Sequence, residues 1–411
     1  MNTYINNYIN NFKGFSREVW VLTLVTYINR AGAMVMPFLA NYLHNNFSFT
    51  LEEVGWMLAC IGLGSFTGSW IGGKLTDKLG FYTIMLLSLI MVGFGFISLM
   101  FLYDFTEICV GLFVISVIAD MYKPAMYVAI GSFSTIENRT RALSLVRLAV
   151  NLGMVSGPVF GGIIVSSGNY DYLFWIDGLS CIIAIMLFML LIDENKLKQN
   201  VKVKIEKAKA NFNIFSDTNF LVFLFASFVT AFMFFQLFTT IPVYNSQKFH
   251  LNEIELGMIL ALNGLLIFLF EMPCIGYLER KKKRPTDVIL IGSLFMAAGF
   301  VVLLFANWLP ILLISIVLIT VGQILIFSFS NTFALSRARI GFEGRYMALY
   351  SMSFSVAQIL SPKIGFAVIG KFNFTANWAL MSIIGVVGIA VYFMLNKKVT
   401  NEIPKNILTT E

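Results

Sequence analysis

Apolar residues in this chain fall in long unbroken runs separated by short polar stops. A helix needs about 20 mostly apolar residues to cross the hydrocarbon core of a bilayer. Twelve runs qualify: Val19–Leu43, Leu51–Leu75, Phe81–Leu102, Ile108–Ile130, Leu143–Val165, Tyr172–Ile192, Asn219–Tyr244, Leu251–Tyr277, Thr286–Ala306, Leu309–Phe333, Met347–Ile369 and Trp378–Leu395. They are continuous and do not alternate, so they predict helices and not the ten-residue in–out strands of a barrel. The first 18 residues are polar and rich in Asn, with neither a short apolar core nor a small-residue cleavage site, so the first span is expected to be retained.

Composition agrees with a lipid solvent. Of 411 residues, 58% are hydrophobic and only 12% charged, against about half and about a quarter in soluble domains. This excludes an ordinary soluble enzyme, a secreted disulfide scaffold and a disordered chain. Cys60, Cys109, Cys181 and Cys274 all lie in apolar runs and read as small core residues, with no disulfide or metal.

The net charge of +7 is a matter of orientation and not of nucleic acid. With the N-terminus in the cytoplasm, 23 of the 29 basic residues fall on the cytoplasmic side, among them Arg280–Arg284 and six lysines between Lys196 and Lys209. Lys248 and Lys371 alone lie outside, which puts both termini inside. The polar stretch 193–217 reads as a cytoplasmic linker between a six-helix half, 1–192, and a second, 218–396, followed by a tail, 397–411.

Two motifs carry more. The loop after the second span reads Gly73-Lys74-Leu75-Thr76-Asp77-Lys78-Leu79-Gly80, with glycines for a tight turn and an aspartate able to accept from arginines or a helix N-terminus. A decayed copy, Gly276-Tyr277-Leu278-Glu279-Arg280, follows the eighth span. The fifth span carries Gly153, Gly157, Pro158, Gly161 and Gly162; glycines four apart admit a facing helix, and the proline bends its own. The eleventh span has a thinner echo, Ser361-Pro362-Lys363-Ile364-Gly365.

The first loop resembles the signature loop of the major facilitator superfamily, and the Gly-Pro run resembles the antiporter motif of its drug/proton exporters. Phe81 and Tyr82 stand where that signature continues with basic residues. The resemblance implies an all-α membrane fold of twelve transmembrane helices in two pseudo-symmetric six-helix halves, working by alternating access around a midplane site. Lys123-Pro124 and Asn151-Leu152-Gly153 are similar to fragments of the proton-coupled oligopeptide transporters, but the paired glutamates that family places before Arg30 are missing.

Ionisable groups inside the spans are costly and usually face a cavity or a partner. By helical rise, Arg30 and Asp120 lie about 15–16 Å above the cytoplasmic ends of their spans, so a pair between them is geometrically open, and Lys123 shares a face with Asp120. Arg147 and Glu271 lie about 6–9 Å in; the resemblance implies that their helices are neighbours across the two halves, which makes them an expected gate pair, with Asp77 as a further gating residue. Asn29, Tyr127, Gln236, Gln323, Gln358 and Lys363 join Arg30, Asp120 and Lys123 as candidate substrate- or proton-binding residues, with interhelical bonding or snorkelling as their plainer roles. Asn263 and Asn331 are further polar positions in the spans, and Phe235 and Phe238 offer an apolar wall.

The expected function is secondary transport of a small organic solute in the cell membrane, as proton-coupled efflux of the multidrug kind. Symport of peptides or organic anions, and a receptor or scaffold without transport, stay as alternatives. Because basic groups outnumber acids inside the spans, an anionic or zwitterionic substrate is as credible as a cationic drug. No cofactor, metal or nucleic acid is expected, and a monomer is. His44 and His250 are far apart, no Gly-Lys-Ser/Thr phosphate loop exists, and no nucleophile–base constellation suggests an enzyme.

Overall fold

Backbone groups in lipid must find partners within their own segment, which leaves helices as the economical answer for continuous apolar runs. The computed structural model describes residues 11–47, 49, 51–166, 170–192, 213–251, 253–305 and 308–407, and the described residues are helical almost throughout. Most of the expected linker, 193–217, lies outside them.

The elements are α1 (Arg17–Gly32), α2 (Val35–Phe47), α3 (Leu51–Leu79), α4 (Phe81–Leu99), α5 (Phe105–Phe133), α6 (Arg139–Ser166), α7 (Asp171–Leu191), α8 (Thr218–Gln236), α9 (Thr240–Phe249), α10 (Glu253–Arg280), α11 (Pro285–Leu303), α12 (Pro310–Arg337), α13 (Glu343–Lys371) and α14 (Phe374–Ile407). Ten stretches among the described residues are long and apolar enough to cross a membrane. The expected first span is two helices, α1 of 16 residues and α2 of 13, each short of a crossing alone. The expected seventh span is likewise divided, into α8 and α9.

Helix starts follow local chemistry. Ser16 accepts from Val19 N–H at the head of α1, Asp104 from Thr106 N–H at α5, and Asp217 from Phe220 N–H at α8. Gly80 joins α3 to α4 at φ 85, a left-handed conformation that glycine adopts without penalty. It is the last glycine of the signature loop.

Two compact units make up the chain: residues 12–211 with 338–352, and residues 1–11 and 212–337 with 353–411. In the first, α3 crosses α5 at backbone distance. A Cβ on Gly64 would lie 2.5 Å from the Phe113 carbonyl oxygen, one on Gly68 would overlap the Val117 carbonyl, and one on Gly72 would lie 2.5 Å from the Met121 Cα. This stripe at i, i+4, i+8 is a small-residue helix crossing. In the second unit Asn11 is buried, and its Oδ1 accepts from Arg280 Nη1 at 2.8 Å at the end of the decayed loop copy.

Arg337, in the last turn of α12, grips Asp217 with two nitrogens: Nε lies 2.9 Å from Oδ2 and Nη2 2.9 Å from Oδ1. A fork on a fork is stronger and more directional than a point charge. Arg337→Lys is therefore expected to destabilise by about 1 kcal/mol and Arg337→Ala by about 2 kcal/mol. Thermal unfolding of the purified protein checks the order, and lysine equal to wild type would remove the fork from the account.

Candidate functional site

The first span breaks just before a proline. Pro37 is the third residue of α2 and has no N–H, so the carbonyl of Ala33 has no donor four residues on. The chain instead makes a tight turn, with Ala33 N–H on the Arg30 carbonyl at 3.3 Å and Met34 N–H on the Gly32 carbonyl at 2.7 Å. The second half repeats the device. Pro242 is the third residue of α9, and α8 ends in short-range bonds from Leu237, Phe238 and Thr239 to carbonyls three residues back.

The glycines of the Gly-Pro run press on the first break. A Cβ on Gly153 would overlap the Arg30 Cβ and lie 2.9 Å from the Ala31 nitrogen, and one on Gly157 would touch the carbonyl oxygens of Ala31, Arg30 and Ala33 at 3.2–3.5 Å. Gly161 meets Met34 and Phe38 on α2, whereas Gly162 has only the Phe38 ring edge at 3.7 Å. The motif is thus a seat for a broken helix. From α7, Asp177 reaches the same place. The residue is 1% exposed, and its carboxyl group accepts from Val35 N–H at 3.4 Å, in the first turn of α2.

Arg30, in the last turn of α1, is half-buried and stands close enough to Tyr122, Tyr127, Asp177 and Cys181 for its charge to act on each. Arg147 of α6 reaches Tyr127 in the same way. Asn29 donates to Cys181 Sγ at 3.2 Å. Asp120 does not pair with Arg30. Its partner is Lys123, at 2.5 Å and three residues on, and among the described residues no salt bridge joins either to Arg30. Depth along a span had left that pair open, but depth does not give direction around the helix.

In the second half the polar positions bond to one another. Gln236 is fully buried; its Nε2 donates to the Ser361 carbonyl at 2.8 Å and Oγ at 2.9 Å, and its Oε1 accepts from Asn377 Nδ2 at 3.2 Å and from Thr240. A Cβ on Gly365 would lie 2.8 Å from the Gln236 amide. Asn263 donates to Thr320 at 2.7 Å and to Gln323 at 3.0 Å, and Asn331 to the Phe327 carbonyl at 2.8 Å. Glu271 is fully buried and accepts from Ser328 at 2.9 Å. Gln358 and Lys363 are exposed. The aromatic wall centres on Phe234, whose ring meets those of Phe235, Phe238 and Phe327 at 4.9–5.3 Å.

The signature loop binds a helix end. Asp77, 4% exposed in its side chain, accepts from Gly344 N–H at 2.6 Å and Arg345 N–H at 3.1 Å in the first turn of α13, with Arg345 Nε at 3.4 Å. A carboxylate on two N-terminal amides meets both the unpaired donors and the helix dipole. Close approach makes it possible, since a Cβ on Gly344 would lie 2.5 Å from the Gly73 carbonyl.

The sequence profile of the Major Facilitator Superfamily matches residues 19–362. The chain belongs to that superfamily. Its members are membrane transporters and not enzymes, and the fold is the all-helical major facilitator fold. Among its relatives, the chain is 21% identical over 401 residues to a Na(+), Li(+), K(+)/H(+) antiporter of Planococcus maritimus, covering 90% of this chain and 93% of the antiporter. It is 22% identical over 362 residues to the quinolone resistance protein NorA of Staphylococcus aureus (strain N315), covering 86% and 90%. A crystal structure of a bacterial homologue of the iron transporter ferroportin, in an outward-facing state, superposes with a TM-score of 0.77 at 14% identity, covering 93% of this chain and all of that one. That likeness is one of fold.

In this superfamily member the Gly-Pro run stands out in the sequence, but its target, the break after Gly32, and the part played by Asp177 do not. The two breaks share one sequence feature, a proline at the third position of the segment that follows each of them.

Proposed function

We propose that the protein is a proton-coupled secondary transporter, and by the Gly-Pro motif an exporter, of a small organic solute carrying at least one anionic group. The observation that carries the substrate class is Arg30. It is half-buried at a helix break, with Tyr127 and Arg147 near and no carboxylate at ion-pair distance among the described residues. Asp177 acts on this charge without an ion-pair contact; a positive charge left unpaired in a low-dielectric site is costly, and a carboxylate on the ligand relieves it through a two-pronged contact. The relatives named above, one an antiporter exchanging cations for protons and one a quinolone resistance protein, support exchange and an amphiphilic solute.

The basic loops support a cell-membrane protein with both termini in the cytoplasm, and with halves 1–192 and 218–396 joined by 193–217. Asn29, Lys123 and Tyr127 complete the polar side.

The test compares norfloxacin with its methyl ester, in wild type and Arg30→Lys. Expected in wild type is at least about tenfold tighter binding of the acid, equivalent to about 1.4 kcal/mol. Arg30→Lys is expected to narrow that gap while leaving thermal stability close to wild type. Equal affinity of acid and ester in the wild type would reject the anion site and return a cationic solute to first place.

A further inference from the structure

The broken first helix is built once in each half, and the two copies differ in one chemical respect. In both, a proline three residues into the outer segment removes a donor, and small residues of a neighbouring helix press on the turn: Gly153 and Gly157 in one, Gly365 in the other. In both, a polar side chain from the last helix of the half reaches in. At the second break it is Asn377, bonded to Gln236 with Ser361 and Thr240 alongside. None of these four groups titrates. At the first break it is Asp177, as buried as Asn377 and ending in a carboxyl group.

We infer that Asp177 is a proton-binding site whose occupancy sets how firmly α2 is held to α1. Ionised, the carboxylate accepts the Val35 N–H at the positive end of α2 and faces the guanidinium of Arg30 on α1. It straps the two segments across the break. A proton on Asp177 cancels the charge that attracts both, and the strap loosens. Ser180, on the same face of α7, packs against Gly32, so the break moves against a fixed wall. Of titratable groups, Arg30 and Cys181 face Asp177, and Tyr122 of α5 lies near Cys181; among the described residues α2, α4 and α6 bring none to it. The tie of Asp120 to Lys123 leaves that acid outside this arrangement. The assignment rests on the reading of the chain as a proton-coupled carrier, and it names the group that takes the proton.

Hydrogen exchange on the full-length protein in detergent tests it, with the proton as the only ligand. After correction for intrinsic amide rates, a peptide covering residues 33–43 is expected to exchange about tenfold faster at pH 5.5 than at pH 8.5, the equivalent of one pKa unit of differential interaction. Asp177→Asn is expected to exchange at one rate at both pH values, and Asp177→Glu to keep the pH dependence. Peptides from α4 serve as an internal control. No pH dependence in the wild type, or the same dependence in Asp177→Asn, overturns the proposal. If Asp177→Asn fails to fold, loss of the dependence in Asp177→Ser, or its retention there, decides in the same way. A second arm imposes a pH gradient on proteoliposomes and follows norfloxacin. If residues 33–43 respond as expected and the gradient moves no norfloxacin, the proton site stands and the carrier reading is what fails.

Discussion

Gly153→Ala is expected to destabilise the protein by about 2–3 kcal/mol, while Gly162→Ala, nine residues further on in the same motif, is expected to be neutral or slightly stabilising. Alanine is intrinsically better than glycine in a helix by about 1 kcal/mol, so a loss at Gly153 isolates crowding from propensity. The crowding is against backbone and a first side-chain carbon, the Ala31 nitrogen and the Arg30 Cβ, which cannot rotate away. At Gly162 the nearest atom is a ring carbon at 3.7 Å, ordinary contact distance. Thermal unfolding in detergent reads both. Wild-type stability in Gly153→Ala would mean that the motif does not seat the break.

The second large effect is expected at Asp77. Asp77→Ala leaves the Gly344 and Arg345 amides without their acceptor in a buried place and removes the carboxylate beside Arg345. The expected cost is about 3 kcal/mol. Asp77→Asn keeps one oxygen acceptor and loses the charge, so its cost is expected to fall between alanine and wild type. Exchange protection of the first turn of α13 checks the cause as well as the size. A loss of stability with those amides still protected would place the effect elsewhere.

Much of the helical architecture was legible in the sequence, because the length of an apolar run is a one-dimensional quantity. What failed were the inferences needing a second or third dimension. Hydropathy averaged over a span ran through the breaks at Ala33 and Phe238, and although Pro37 and Pro242 follow them, Pro124, Pro273 and Pro362 lie inside unbroken helices. Gln236 read equally as a path-lining group or an interhelical bond, and its partners Ser361 and Asn377 lie 125 and 141 residues away, a distance no spacing rule spans. The signature loop announced Asp77 as an acceptor and said nothing of its donors, 267 and 268 residues on. Arg30 and Asp120 matched in depth, but the nearest cation to Asp120 was the lysine on its own helix face.

Asp177 and Asn377 stand at corresponding breaks, one acid and one amide of nearly the same shape. Aspartate and asparagine codons differ by a single nucleotide. A lineage carrying both copies of the broken helix is therefore one point mutation from silencing the acidic break and one from adding a second. Change in what drives such a carrier can precede any change in its architecture, and relatives that superpose closely can still differ in the ion they follow.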